Sequence, residues 1–131
     1  MNAFMGRFSI ATDNTSGGRN QFFTDHIQFL KLNDIKDPSM IFVTLDEHPD
    51  SINDAYFLNN PALTTSQWGD SPASYHNGAG GFSFADGHAE IHKWLSSRTK
   101  LPVRYAYAPQ ALDAPGKLDY AWHAQRMARK P

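Results

Sequence analysis

Residues 82–95, FSFADGHAEIHKWL, decide how this chain folds. Two segments of alternating apolar and polar residues flank Asp86-Gly87, which predicts a β-hairpin closed by a type I′ turn. In a strand, residues two apart share a face, so His88, Glu90 and His92 project together and Ala89, Ile91 and Leu95 take the buried side. The hairpin needs a sheet neighbour, and residues 40–45, MIFVTL, offer the best one: β-branched, aromatic and short, with Pro38 before it and DEHPD after. That run lacks alternation, which predicts a strand buried on both faces.

Outward from this centre the signals weaken. Residues 11–20, ATDNTSGGRN, read as a loop around Gly17 and Gly18. Phe22 to Asp34 contains QFLKL, whose mixed period fits a short strand or a helical turn, with the strand favoured, and Asp37-Pro38-Ser39 then punctuates the chain. Residues 58–81 carry LNNP, SQWGDSPAS and NGAGG and predict a loop of a length that tends to be functional or mobile. Val103 to Tyr107, VRYAY, is a further strand candidate. Residues 118–129, LDYAWHAQRMAR, predict a helix with Leu118, Ala121, Trp122 and Gln125 on one face, basic residues in the last turn, and Pro115-Gly116 as its boundary. The expected fold is α+β in a single domain over residues 1–131: a small antiparallel β-sheet, long loops and a C-terminal helix.

Composition removes several function classes. The 131 residues are 40% hydrophobic and 19% charged, as a folded domain requires. Twelve Lys plus Arg against thirteen Asp plus Glu leave a net charge of −1, without the electrostatic footprint of a nucleic-acid or anionic-membrane binder. Zero cysteines exclude disulfides, thiolate metal sites, iron–sulfur clusters and a Cys nucleophile. No apolar run approaches the roughly 18–20 residues of a membrane span, and no signal-peptide core is present, so the chain as written is expected to be soluble.

Three constellations carry chemistry. Asp46, Glu47, His48 and Asp50, with Asp54 nearby, follow the 40–45 strand directly. Calcium needs six to eight oxygens, which a short acidic loop gathers well; the same residues also suit a solvated turn in which Asp50 or Ser51 caps a short helix, SINDAYF. His88, Glu90 and His92 suit zinc or another divalent metal, or simply the wet side of a hairpin. Nine residues intervene between His76 and Asp86-Gly87, in a glycine-rich segment that lets the backbone approach a neighbour or a ligand. His26 and His123 stand alone and read as surface or packing residues. No GxSxG, SxxK, GxGxxG or Walker pattern is present.

The segment SYHNGAGGFSFADGH, residues 74–88, resembles the signature of the pseudopilin-like prepilin-type processing-associated H-X9-DG proteins, and DEHPDSINDAY (46–56) and LDYAWHAQR (118–126) look like two further landmarks of that family. The resemblance runs in order over residues 1–129. It implies the globular domain of a secretion-pilin-like protein, an antiparallel sheet that in the intact family packs on a long N-terminal helix. Related major pseudopilins of type II secretion hold calcium in a loop, although their motif does not align here. Met1 looks like a point inside the family's globular domain. The resemblance therefore implies a cell-envelope or extracellular parent protein, and a cytoplasmic product if the chain is made without a leader.

Two functions follow as expectations. The first is a calcium-binding structural or interaction module, with Asp46, Glu47, Asp50, Asp54, Asp86 and His88 as metal ligands, dimerising through the apolar groove left by the missing helix. The second is a metal-dependent hydrolase of esters or lactones, such as acyl lactones, with Glu47, His48 or His76 as proton shuttle and an apolar ligand in the groove.

Overall fold

A computed structural model describes residues 1–7 and 18–131. Most of the loop expected at 11–20 lies outside the described residues. Strands β1 (Phe42–Leu45), β2 (Ala79–Phe84) and β3 (Ala89–Lys93) form an antiparallel sheet in the order β1-β2-β3, and helix α1 (Ala114–Met127) follows them. The fold is α+β, with a small antiparallel sheet, long connections and a C-terminal helix.

β2 and β3 are the expected hairpin, in the register Gly80↔His92, Phe82↔Glu90 and Ser83↔Ala89. The turn is not type I′, which needs two left-handed residues; only Gly87 has positive φ, +95°. The Gly87 N–H donates to Phe84 O at 3.0 Å and the Phe84 N–H to His88 O at 2.9 Å, so the connection is the three residues Ala85-Asp86-Gly87.

The buried side of the hairpin is the reverse of the expected one. Phe82, Phe84 and Trp94 are buried, and cross-strand partners share a face, so Glu90 and His92 stand on the core side while Ile91 is 65% exposed. Leu95 is exposed as well. The rings of β2 and Trp94 bring more apolar area to the core than Ala89 and Ile91 would, and they set the inward face.

β1 likewise has one covered face. Phe42 is fully buried with its ring 5.4 Å from that of Phe82, whereas Thr44 is exposed and shares a 2.6 Å hydrogen bond with the Ser83 hydroxyl. Met40 belongs to a single 3-10 turn, Pro38–Met40, ahead of the strand. The cover is α1: Trp122 packs on Phe82 and His123 on Phe42. On the opposite face Thr44, Ala89 and Ile91 are exposed.

α1 starts at Ala114, so Pro115 sits in its first turn and Gly116 inside it rather than at a boundary. Asp113 caps it, accepting the Gly116 N–H at 2.9 Å and the Ser96 hydroxyl at 2.6 Å. Buried Asp119 accepts the N–H groups of Leu95 and Ser96 and ties α1 to the end of β3. Tyr120, His123, Ala124 and Met127 point inward, while Leu118 is exposed.

Two expected strands do not form. In residues 22–34 the backbone makes isolated bridges, such as Met5↔Phe29, and a 3-10 turn, Leu32–Asp34. Side-chain amides hold this region instead: buried Gln28 bonds Asn20, Ala3 O and Gly6 O. Residues 103–107 are irregular and exposed. Glycine is required at Gly80, where the obstacle is backbone, and at Gly81 a side chain would displace the Asp46 carboxylate. A Cβ on Gly80 would lie 2.8 Å from Ala73 O, the acceptor of the Trp94 indole N–H, and one on Gly81 would lie 2.9 Å from Asp46 Oδ2. Among the described residues no helix is long and apolar enough to cross a membrane.

Candidate functional site

The acidic loop after β1 directs its carboxylates at backbone. Asp46 Oδ2 accepts the Gly81 N–H at 2.9 Å; Asp50 accepts the N–H groups of Arg104 at 2.7 Å and Tyr105 at 2.9 Å; Asp54 accepts the Tyr56 N–H at 2.7 Å. Residues 51–57 form a turn and bends, not the short helix SINDAYF. His48 is buried, and both ring nitrogens are engaged: Nδ1 accepts the Asp50 N–H at 3.2 Å, which leaves Nε2–H to donate to Leu101 O at 3.0 Å. An imidazole bonded on both sides and shut from solvent is poorly placed to shuttle a substrate's proton.

Glu47 differs from its neighbours. Its carboxylate meets the Ser51 hydroxyl at 3.1 Å, and its pKa is pushed up to about 7, chiefly by burial, with the charges of Asp70 and Asp54 adding to the shift. Asp70 is raised too, again by burial first and by Asp54, although the Leu58 N–H at 2.5 Å opposes the shift. Glu47, Asp54 and Asp70 thus share one electrostatic environment. Asp70 carries no sequence signal of its own, since SQWGDSPAS reads as an ordinary loop.

The H-X9-DG spacing resolves into two separate histidine–aspartate pairs. His76 Nε2 lies 3.2 Å from Asp46 Oδ2, ahead of β2. His88 Nδ1 lies 2.6 Å from Asp86 Oδ1, beyond the other end of β2, with its ring stacked on Phe84 at 4.4 Å. This pairing lowers the Asp86 pKa through the hydrogen bond from His88. Between the pairs runs the six-residue strand β2, about 17 Å at the usual rise. One cation with ligand distances near 2.3–2.6 Å spans no such gap.

The residues singled out from sequence therefore divide. Asp46 and His76 come together, as the pairing of β1 with β2 requires. Glu47, Asp54 and Asp70 lie within electrostatic reach of one another, Asp50 bonds the segment 101–108, and Asp86 and His88 bond each other. Glu90 and His92 do not join His88 in a metal face. His88 lies outside β3, and His92 stacks on Trp122 at 3.6 Å. Among the described residues no group of three or more His, Asp or Glu side chains is arranged to hold a metal ion.

Comparison with protein-family models, with characterised proteins and with solved structures finds no match to this chain.

Proposed function

We propose that this chain is a structural interaction module of a secretion-pilus-type system, and that it associates with a second copy of itself along the free edge of β3. The sequence resemblance supports the class, and the geometry of β3 supports the contact. The Phe84 N–H donates to His88 O and the Trp94 N–H to Gly78 O, so even-numbered positions carry the ladder to β2. The backbone groups of Ala89, Ile91 and Lys93 then turn outward. An open edge of this kind is a template for another strand. With Ile91 as the two-fold centre, antiparallel pairing sets Glu90 of each copy opposite His92 of the other, and Ile91, 65% exposed in the single chain, against its equivalent.

Sedimentation at increasing concentration tests this. Dimer is expected in the high micromolar range, and Ile91→Lys should return the chain to monomer with its melting temperature unchanged. A monomeric wild type at several hundred micromolar sinks the proposal.

Calcium belongs to the same proposal as a cation near Glu47, where it would offset the charges of Asp54 and Asp70 that, after burial, raise that carboxyl, although no three of the described side chains are arranged around one ion. Binding at 100 times the dissociation constant adds about 2.7 kcal/mol, so melting in millimolar calcium should exceed melting in EDTA by several degrees. Superimposable curves remove calcium from the account. Hydrolysis of esters or lactones has less support, because its acid, base and metal groups lie in separate places.

A further inference from the structure

Residues 97–110 arch over a cavity of about 270 Å³, floored by His48 and Asp50. The arch is tied down from below. His48 Nε2 meets Leu101 O, the Asp50 carboxylate takes the N–H groups of Arg104 and Tyr105, and the Tyr107 hydroxyl reaches Ser71 Oγ at 3.3 Å. These ties hold Tyr105 at φ +57°, a left-handed conformation that a bulky residue adopts only under constraint. The arch is therefore a built structure, and the cavity beneath it is preformed.

Among the side chains that line the cavity two arginines face one carboxylate, and Asp113, which does not line it, partly balances Arg98. Asp50 supplies the negative charge, and its oxygens are occupied by backbone N–H groups. Against it stand Arg98 and Arg104, with the amide of Gln110 as a further donor. Arg98 is anchored through Nη1 to Ala111 O at 2.9 Å, with its Nε 4.0 Å from Asp113. Arg104 bonds through its backbone only; its guanidinium has no hydrogen-bond or ion-pair partner among the described residues. Leu101, Pro102 and Ala106 give the rest of the lining an apolar surface.

We infer that this cavity binds a small organic carboxylate, its anionic end against Arg104 and Arg98 and its apolar body against Leu101, Pro102 and Ala106. The guanidinium fork matches a carboxylate in two parallel hydrogen bonds. The volume sits just below the roughly 300–1,000 Å³ typical of small-molecule sites, which restricts the ligand to a compact one. None of the residues that carry the β3 edge takes part, so this site stands or falls separately from self-association.

The test is an amide-resolved NMR titration of the full chain with sodium benzoate, benzamide and inorganic phosphate in parallel. Benzoate should shift the amides of residues 97–110 and of Asp50 in a saturable way, while benzamide, the same shape without the charge, should not. Arg104→Gln should weaken benzoate binding about tenfold, the loss of one charge-assisted contact, and leave the melting temperature unchanged. Ala106→Trp, which fills the cavity without touching a charge, should abolish binding. Equal shifts from benzoate and benzamide, or Arg104→Gln binding like wild type, overturn the inference. Phosphate binding more tightly than benzoate also overturns it, since the apolar walls would then contribute nothing.

Discussion

Around His123, the rings of Phe42, Phe57, Trp68 and Tyr120 close an aromatic shell in which both imidazole nitrogens lack a hydrogen-bond partner among the described residues. In the loop from Asp46 to Asp70, four aspartates each accept a backbone N–H, and only Glu47 relies on a hydroxyl. The first region excludes water and tolerates a polar group without satisfying it. The second is half-wet and uses charge to fix backbone that lies, Gly81 apart, outside sheet and helix. One sequence thus solves the burial of polar groups in two ways, and the two regions should answer differently to mutation and to pH.

The largest expected effect is in the aromatic region. Trp94 is buried, its ring meets Phe82, Trp68 and Trp122, and its indole N–H donates to Ala73 O at 2.8 Å. Trp94→Ala should cost about 3–5 kcal/mol and threaten folding outright. A urea midpoint close to that of wild type would mean that the shell does not hold the domain together.

Acid provides the second contrast. Burial pushes His123 down to about 3 from its ordinary 6.5. Below pH 6.5 the unfolded chain binds a proton that the folded chain refuses, so stability falls as pH falls, by about 1.4 kcal/mol per unit, or roughly 2 kcal/mol at pH 5. His123→Leu removes the titrating group and two unsatisfied nitrogens together, and its stability between pH 6.5 and 4 should lack that contribution. Wild-type and variant curves that stay parallel across this range contradict the assignment.

Glu47 carries the opposite sign. Its folded pKa of about 7 stands above the ordinary 4.5. Stability is therefore fully present below pH 4.5 and is lost as pH rises through 7, where the folded chain must ionise a half-buried group. Solvent around that group screens the cost, and Glu47→Gln should gain only about 1 kcal/mol at pH 8 and nothing at pH 4. A variant less stable than wild type at pH 8 would mean that the ionised carboxylate is bound to something, with calcium the first candidate to add back.

The sequence made the sheet and helix legible because their signals are local. Alternation around Asp86-Gly87, most of the apolar run at 40–45 and the helical spacing near 120 each lie within one element. Which face of the hairpin is buried was not local, since it depends on Phe82, Phe84 and Trp94 competing with Ala89 and Ile91 across the register. VRYAY alternates like a strand, yet its conformation is imposed by Asp50, more than fifty positions away in sequence. The same holds for the candidate site. Asp46 and His76 meet across |i−j| = 30, and Asp70 joins Glu47 from a stretch that reads as plain loop. His123 reads from sequence as a surface or packing residue and is a packing one; its depth is not legible because its surroundings come from Phe42, Phe57, Trp68 and Tyr120, spread over most of the chain.

Gly80 has a consequence for how this gene tolerates change. The carbonyl of Ala73 receives the Trp94 indole N–H on one side and leaves no space for a Cβ at position 80 on the other. A saturation library should therefore score every substitution at codon 80 as harshly as those at codon 94, even though a glycine inside a strand is ordinarily a position that improves when replaced. Codon 87 should also prefer glycine, but for its left-handed backbone, with asparagine the best tolerated replacement. Codon 80 has no such second choice, because the obstacle there is a backbone carbonyl and not a dihedral angle that asparagine could adopt.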